Sequence, residues 1–159
     1  MIYTDRLLSN PEYLQLLAAI EEAERERIFC GHDLDHFMAV ARIGRIISCE
    51  EKLGLPADDI YLAALLHDLG RLQEYEEGTP HDEAGVAVAA SFLEAIAYPV
   101  EKRAAILQAV SGHRRQAEEE TLLTGLIRKA DKLSRPCFNC PARAQCKWPA
   151  SRKNKSFRY

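Results

Sequence analysis

The stretch AALLHDLGR, Ala63 to Arg71, decides how the rest of the chain is read. An unbroken apolar run ends in an imidazole and a carboxylate, His67-Asp68, and then in Gly70 and Arg71. Ile60 and Ala64 precede His67 at helical spacing, so the imidazole closes an apolar, core-facing stripe. A buried Asp or His is costly unless it is paired or ligated. The pair therefore either finds partners inside the fold or binds an ion.

Outward from this stretch the chain reads as helices joined by short loops. Upstream, Asn10-Pro11 predicts a cap with proline at the first helical position, opening a helix to about Ile28 with Leu14, Leu17 and Ile20 inward. A second helix is expected from about Leu34 to Leu53, ending at Gly54. A third starts after Pro56 and carries His67-Asp68 to Gly70, read as a left-handed stop. After a loop from Glu74 to Pro80, three more helices follow, at about 81–97, 100–113 and 119–134. Period-two alternation and β-branched runs are scarce, so the fold class is all-α, a bundle of about six helices over residues 1–135. From Pro136 the composition shifts to cysteine, proline and a basic finish, SRKNKSFRY. Residues 136–159 are expected to form an irregular Cys-rich extension whose last residues lack fixed structure.

The other histidines repeat the pattern of His67. His36 continues as Val40, Ile43 and Ile47; His81 as Gly85, Val88 and Phe92; His113 follows Ile106 and Val110; Asp131 follows Leu123 and Ile127. Each polar group sits at the end of an apolar face, one per helix. Any one alone reads more readily as a cap or a half-buried core residue. Together they predict convergence on one ion site, as helix bundles build them. Imidazole and carboxylate suit Mn, Fe, Zn, Co or Ni better than Ca or Mg. His32, four residues before His36, is assigned a supporting or substrate-facing role.

Composition limits the partners. A formal charge of −3 and a pI near 6.0 give no overall basic footprint, which argues against duplex nucleic acid. A small phosphorylated substrate, a nucleotide among them, needs only a local cluster of cations. The N-terminus does not read as a signal peptide and no apolar run is long enough for a bilayer, so no membrane partner and a cytoplasmic location are expected. There, five cysteines are thiols or metal ligands rather than disulfides. The oligomeric state is left open.

HDLDHFMAVARI, AALLHDLGR and IRKADKLSR together resemble the HD-domain superfamily of metal-dependent phosphohydrolases, over about Arg27 to Arg135. The resemblance implies an all-helical fold with His36, His67, Asp68 and Asp131 around one metal. Subgroups with two metals carry extra histidines between the HD pair and the last Asp, where His81 and His113 stand here. It further implies Asp68 as the bridging carboxylate and His67 as a terminal ligand. A metal lowers the pKa of water to near neutrality, and two metals clamp the attacking and leaving oxygens of a phosphoryl group. The catalytic residues are then Asp68 and Arg71, the latter a phosphate partner. Arg114, Arg115, Lys129 and Lys132 are weaker candidates, since such side chains usually sit in solvent. Two other readings stand beside hydrolysis: a diiron oxygenase on the same ligands, and a non-catalytic metal- or redox-sensing module.

A second constellation is Cys137-x2-Cys140-x5-Cys146, interleaved with Pro136, Pro141 and Pro149. Such thiol clusters bind Zn or an iron–sulfur centre. If the second and last helices run antiparallel with His36 beside Asp131, Cys30 lies near Cys137 and supplies a fourth ligand. Free thiols on a solvated tail are the alternative. Cys49, mid-helix, reads as a small buried hydrophobe.

Overall fold

Caps and apolar stripes translate into eight α-helices and one short 3-10 turn in a computed structural model, which describes residues 1–114 and 117–159. They are α1 (Ile2–Leu8), α2 (Pro11–Ala23), α3 (Leu34–Glu50), α4 (Ala57–Leu66), α5 (Arg71–Glu77), α6 (His81–Ala95), α7 (Val100–Gly112) and α8 (Leu122–Ser134), with the turn at Cys137–Asn139. Among the described residues there is no strand, in keeping with the all-α expectation.

The unbroken apolar run of α4 has a structural reason. Ile60 and every residue from Leu62 to Leu66 are fully buried, because α1, α3, α7 and α8 pack around this helix. α3 lies against both α4 and α8, and α7 packs against α4, α6 and α8. His67 and Asp68 therefore emerge at the centre of the molecule.

Several boundaries differ from the sequence reading. Asn10 caps α2 as expected, its side chain accepting from the Glu12 and Tyr13 amides. The helix stops at Ala23, not Ile28, because Glu24 turns inward to bind His32. Leu14 is exposed, and Tyr13 takes the inner position, its hydroxyl donating to the Leu65 carbonyl at 3.0 Å. α1 was not expected; it is seven residues long and has no side-chain cap. Cys49 is exposed rather than buried, since Ser48 and Ile47 carry the inner face of α3.

Gly70 corrects the expected stop signal. Its φ of −70° is right-handed, and the chain continues into α5; the left-handed stop is Gly78, at φ 77°. Gly70 is small for another reason. A Cβ there would fall 2.2 Å from the His81 carbonyl oxygen and 2.5 Å from the Gly85 amide nitrogen. This backbone contact between the end of the HD segment and the first turn of α6 brings His81 up to Asp68.

Candidate metal centre

All five histidines of the chain meet around Asp68. His67 and His113 end α4 and α7, His81 begins α6, and His36 lies in the first turn of α3, whose Asp33 cap accepts from the His36 amide at 2.7 Å. His32 enters from the segment before α3. Neighbouring rings stand 5.0 to 5.7 Å apart, from His32 through His36, His67 and His113 to His81.

Most of these rings are fixed through Nδ1. His67 Nδ1 donates to the Ala64 carbonyl at 2.6 Å, and His113 Nδ1 to the Val110 carbonyl at 2.7 Å. His81 Nδ1 donates to Glu74 Oε2 at 2.7 Å, and His32 Nδ1 to Glu24 Oε1 at 2.5 Å. Each of these contacts holds the proton on Nδ1 and turns the Nε2 lone pair inward. Metal-ligating histidines are oriented in this way by their outer partners.

The Nε2 atoms converge on two sides of one carboxylate. Asp68 Oδ2 lies 3.0 Å from His67 Nε2 and 3.5 Å from His32 Nε2. Asp68 Oδ1 lies 3.1 Å from His81 Nε2 and 3.5 Å from His113 Nε2. Two sets of ligand atoms fall within 4.8 Å of one another: His36, His67, Asp68 and Asp131, and Asp68, His81 and His113. Asp68 belongs to both.

The residues fit metal ions on the structure's own terms. Nε2 of His67 and of His81 are buried and have no hydrogen-bond partner, although carboxylate oxygens stand close, because the directions are wrong for a ring proton. Such orphaned atoms are costly unless something else satisfies them. The electrostatics agree. Burial opposes charge on His67, yet the flanking Asp68 and Asp131 carboxylates outweigh it and raise its pKa to about 10. Burial opposes ionisation of Asp68 too, and His67, His113 and His81 hold its carboxyl well below the usual range. Asp131 is held down against its burial by His36, His67 and Arg135. A positive charge is strongly favoured between these carboxylates. Burial lowers His36 to about 4, which keeps its imidazole in the neutral form that binds metals.

Arg135 supplies one such charge. Its guanidinium stands 2.9 Å from Asp131 Oδ1 and 3.1 Å from His36 Nε2, while another nitrogen donates to the Gly31 carbonyl. An ion that takes both of those ligand atoms must move this guanidinium aside.

The centre opens on a cavity of about 1430 Å³. More than half of the chain's 21 Lys and Arg residues line it, whereas the only acidic side chains in its described wall are Glu51, Asp68, Glu120 and Asp131. Overall acidity thus concealed a locally basic chamber. Arg71 lines it and is anchored by Asp68 Oδ1 at 3.2 Å and Glu74 Oε2 at 2.9 Å. Lys132 lines it as well; Lys129 is tied to Glu51 and Arg114 to Asp82 at its edge. Arg115 lies outside the described residues. Cys30, Cys137, Cys140 and Cys146 all line the same cavity.

Three contributors escaped the sequence reading. Glu24 holds His32 and also accepts from the Tyr75 hydroxyl; burial pushes its carboxyl up, but these contacts win and hold it at about 2. Glu74 orients both His81 and Arg71. No pattern marked Glu24 or Glu74, because each acts across a loop. Arg135 had a signal, four residues after Asp131 on the same helical face.

Comparison with known proteins shows the family and the fold. Residues 33–135 match the HD domain family model, and the chain belongs to that family. An uncharacterized protein of Clostridium beijerinckii is 38% identical over 148 residues, 93% of each chain. Ribonuclease Y of Thermus thermophilus is 36% identical over 101 residues, and ribonuclease Y 1 of Pediococcus pentosaceus 26% identical over 126. The chain matches only 16% and 22% of the lengths of these two. A crystal structure of a predicted HD superfamily hydrolase from an uncultured Thermotogales bacterium superposes with a TM-score of 0.64 at 23% identity, covering 94% of this chain and 86% of that one. That likeness concerns the fold.

Proposed function

We propose that this protein hydrolyses a phosphate ester or anhydride at a two-ion centre bridged by Asp68. The observation that carries the proposal is the division of labour at Asp68. Its two oxygens face two separate groups of ligands, and both groups border one basic cavity. His36, His67 and Asp131 would hold one ion with Asp68, and His81 and His113 the other. When bound, such ions activate water near neutral pH and neutralise charge on a phosphoryl group.

The chain's own residues do the rest. Arg71, held by Asp68 and Glu74, presents its guanidinium beside the bridging carboxylate, where a phosphoryl oxygen can be bound and oriented. Lys132 and Arg135 extend the cationic wall. His32, with Nδ1 tied to Glu24 and Nε2 turned to Asp68, is placed to hold or move a proton at the edge of the centre. Mn, Fe, Zn, Co and Ni all suit this donor set. A nucleotide is the favoured substrate class, and the similarity to ribonuclease Y adds ribonucleotide phosphodiesters to it. No described helix is long and apolar enough to cross a membrane, and the proposal places the protein in the cytoplasm.

The test is turnover of phosphomonoesters, phosphodiesters and nucleotides by protein loaded with each of these ions. Metal-dependent phosphate release, lost in Asp68→Ala, supports the reading. Silence across the whole panel with both ion positions filled would overturn it.

A further inference from the structure

The four cavity-lining cysteines play no part in that chemistry. Cys30 precedes α3, and Cys137, Cys140 and Cys146 follow α8; the start of α3 lies beside the end of α8, and all four cysteines line the cavity. Cys137 and Cys140 lie close enough to Cys30 to act on it electrostatically; its burial, together with these two thiols, pushes its own thiol up, against the opposing charge of Arg135. The backbone around them is fastened by cations. Arg27 donates to the Cys30 carbonyl at 3.0 Å, Arg143 to the Cys137 carbonyl at 2.7 Å, and Lys153 to the Cys146 carbonyl at 3.1 Å. Arg135 joins the two segments through the Gly31 carbonyl, and Asn154 ties the tail to the carbonyls of Lys132 and Arg135 at 2.8 Å. A solvated tail with unrelated thiols has no need of such fastening.

The spacing of the sulfurs separates two ligands. A zinc ion with Zn–S bonds of about 2.3 Å brings its tetrahedral sulfurs to roughly 3.8 Å from one another. No set of three described ligand atoms within 4.8 Å of one another includes a cysteine sulfur. No three of these sulfurs stand as close together as one small ion requires. An inorganic core of several irons and sulfides, held by four cysteine thiolates, fills a wider space of this kind. Those thiolates would also place negative charge on the wall, and Arg27, Arg135, Arg143 and Lys153 are gathered there to offset it.

We infer that Cys30, Cys137, Cys140 and Cys146 ligate an iron–sulfur cluster that pins the C-terminal segment as one wall of the substrate cavity. This goes beyond the hydrolase reading and does not depend on it. The cluster would hold Lys147 and Trp148, which border the same cavity, in place along it.

The experiment is anaerobic purification of the full chain, with iron and sulfide reconstitution where needed, followed by iron, zinc and acid-labile sulfide analysis. Sulfide is diagnostic because the histidine centre binds none. Two or four sulfides per chain are expected, with visible absorption that bleaches on reduction. Cys140→Ser and Cys137→Ser should lose sulfide while the histidine-site metal and helical circular dichroism persist. Cys49→Ser, exposed on α3, should keep it. Asp68→Ala should lose histidine-site metal and keep sulfide, so failure of one proposal is separable from failure of the other. Trp148 is the sole tryptophan, and its fluorescence, quenched in the loaded protein, should recover in Cys140→Ser. Zinc without sulfide, or no sulfide after reconstitution, overturns the inference.

Discussion

The histidine centre and the cysteine wall face the same cavity but are built on opposite principles. The histidines sit at the ends of packed helices, with Nδ1 anchored on carbonyls and carboxylates and ligand atoms already within 4.8 Å of one another. The cysteines sit on irregular segments and a 3-10 turn, fastened through backbone carbonyls, with no three sulfurs gathered within 4.8 Å of one another. Helix packing fixes side-chain position before any ion arrives, at the expense of orphaned nitrogens and buried carboxylates. A loop site avoids that cost and would leave its proposed cofactor to complete the geometry.

Perturbing the shared carboxylate should break the comparison most sharply. Asp68→Ala would remove a ligand from both proposed ion positions; hydrolysis should fall on the order of a thousandfold, checked by steady-state kinetics beside elemental analysis. Gly70→Ala tests whether the helical frame places the ligands. The added methyl meets backbone of His81 and Gly85, so either α5 or α6 must shift. A loss of about 2–3 kcal/mol in denaturant unfolding is expected, with weaker metal binding at His81 and His113.

Outer partners should matter less than ligands. Glu24→Gln slackens His32, and activity should fall about 10- to 100-fold with the metal content unchanged. It also has a pH signature. Glu24 is held at about 2, below its ordinary 4.5, so its stabilisation is complete above about pH 4.5 and is lost as pH falls toward 2. The variant should therefore be less stable than wild type at pH 7, on the order of 1–2 kcal/mol, with the gap closing in acid unfolding curves. The smallest effect belongs to Cys49→Ser. Exposed on α3 and outside both sites, it should change stability by no more than about 0.5 kcal/mol.

The same contrast explains what could be read from the sequence. His36, His67, His81, His113 and Asp131 were legible because each ends an apolar stripe, and helical periodicity projects such stripes onto a common core. The place of Arg71 beside Asp68 was legible by adjacency to the HD pair. Glu24 and Glu74 were not, since a carboxylate that reaches its histidine across a turn leaves no periodic trace. Gly70 was misread because a glycine after a helix usually marks a left-handed stop, and only the approach of α6 reveals the steric reason. The basic cavity was hidden as well: its cations come from widely separated segments and vanish in a net charge of −3.

The central claim is that one carboxylate bridges two ions. Anomalous diffraction from crystals of the manganese-loaded protein tests it most directly. The account predicts two peaks flanking Asp68, one beside His36, His67 and Asp131 and one beside His81 and His113. A single peak at saturating manganese, or two peaks that do not share Asp68, would contradict it.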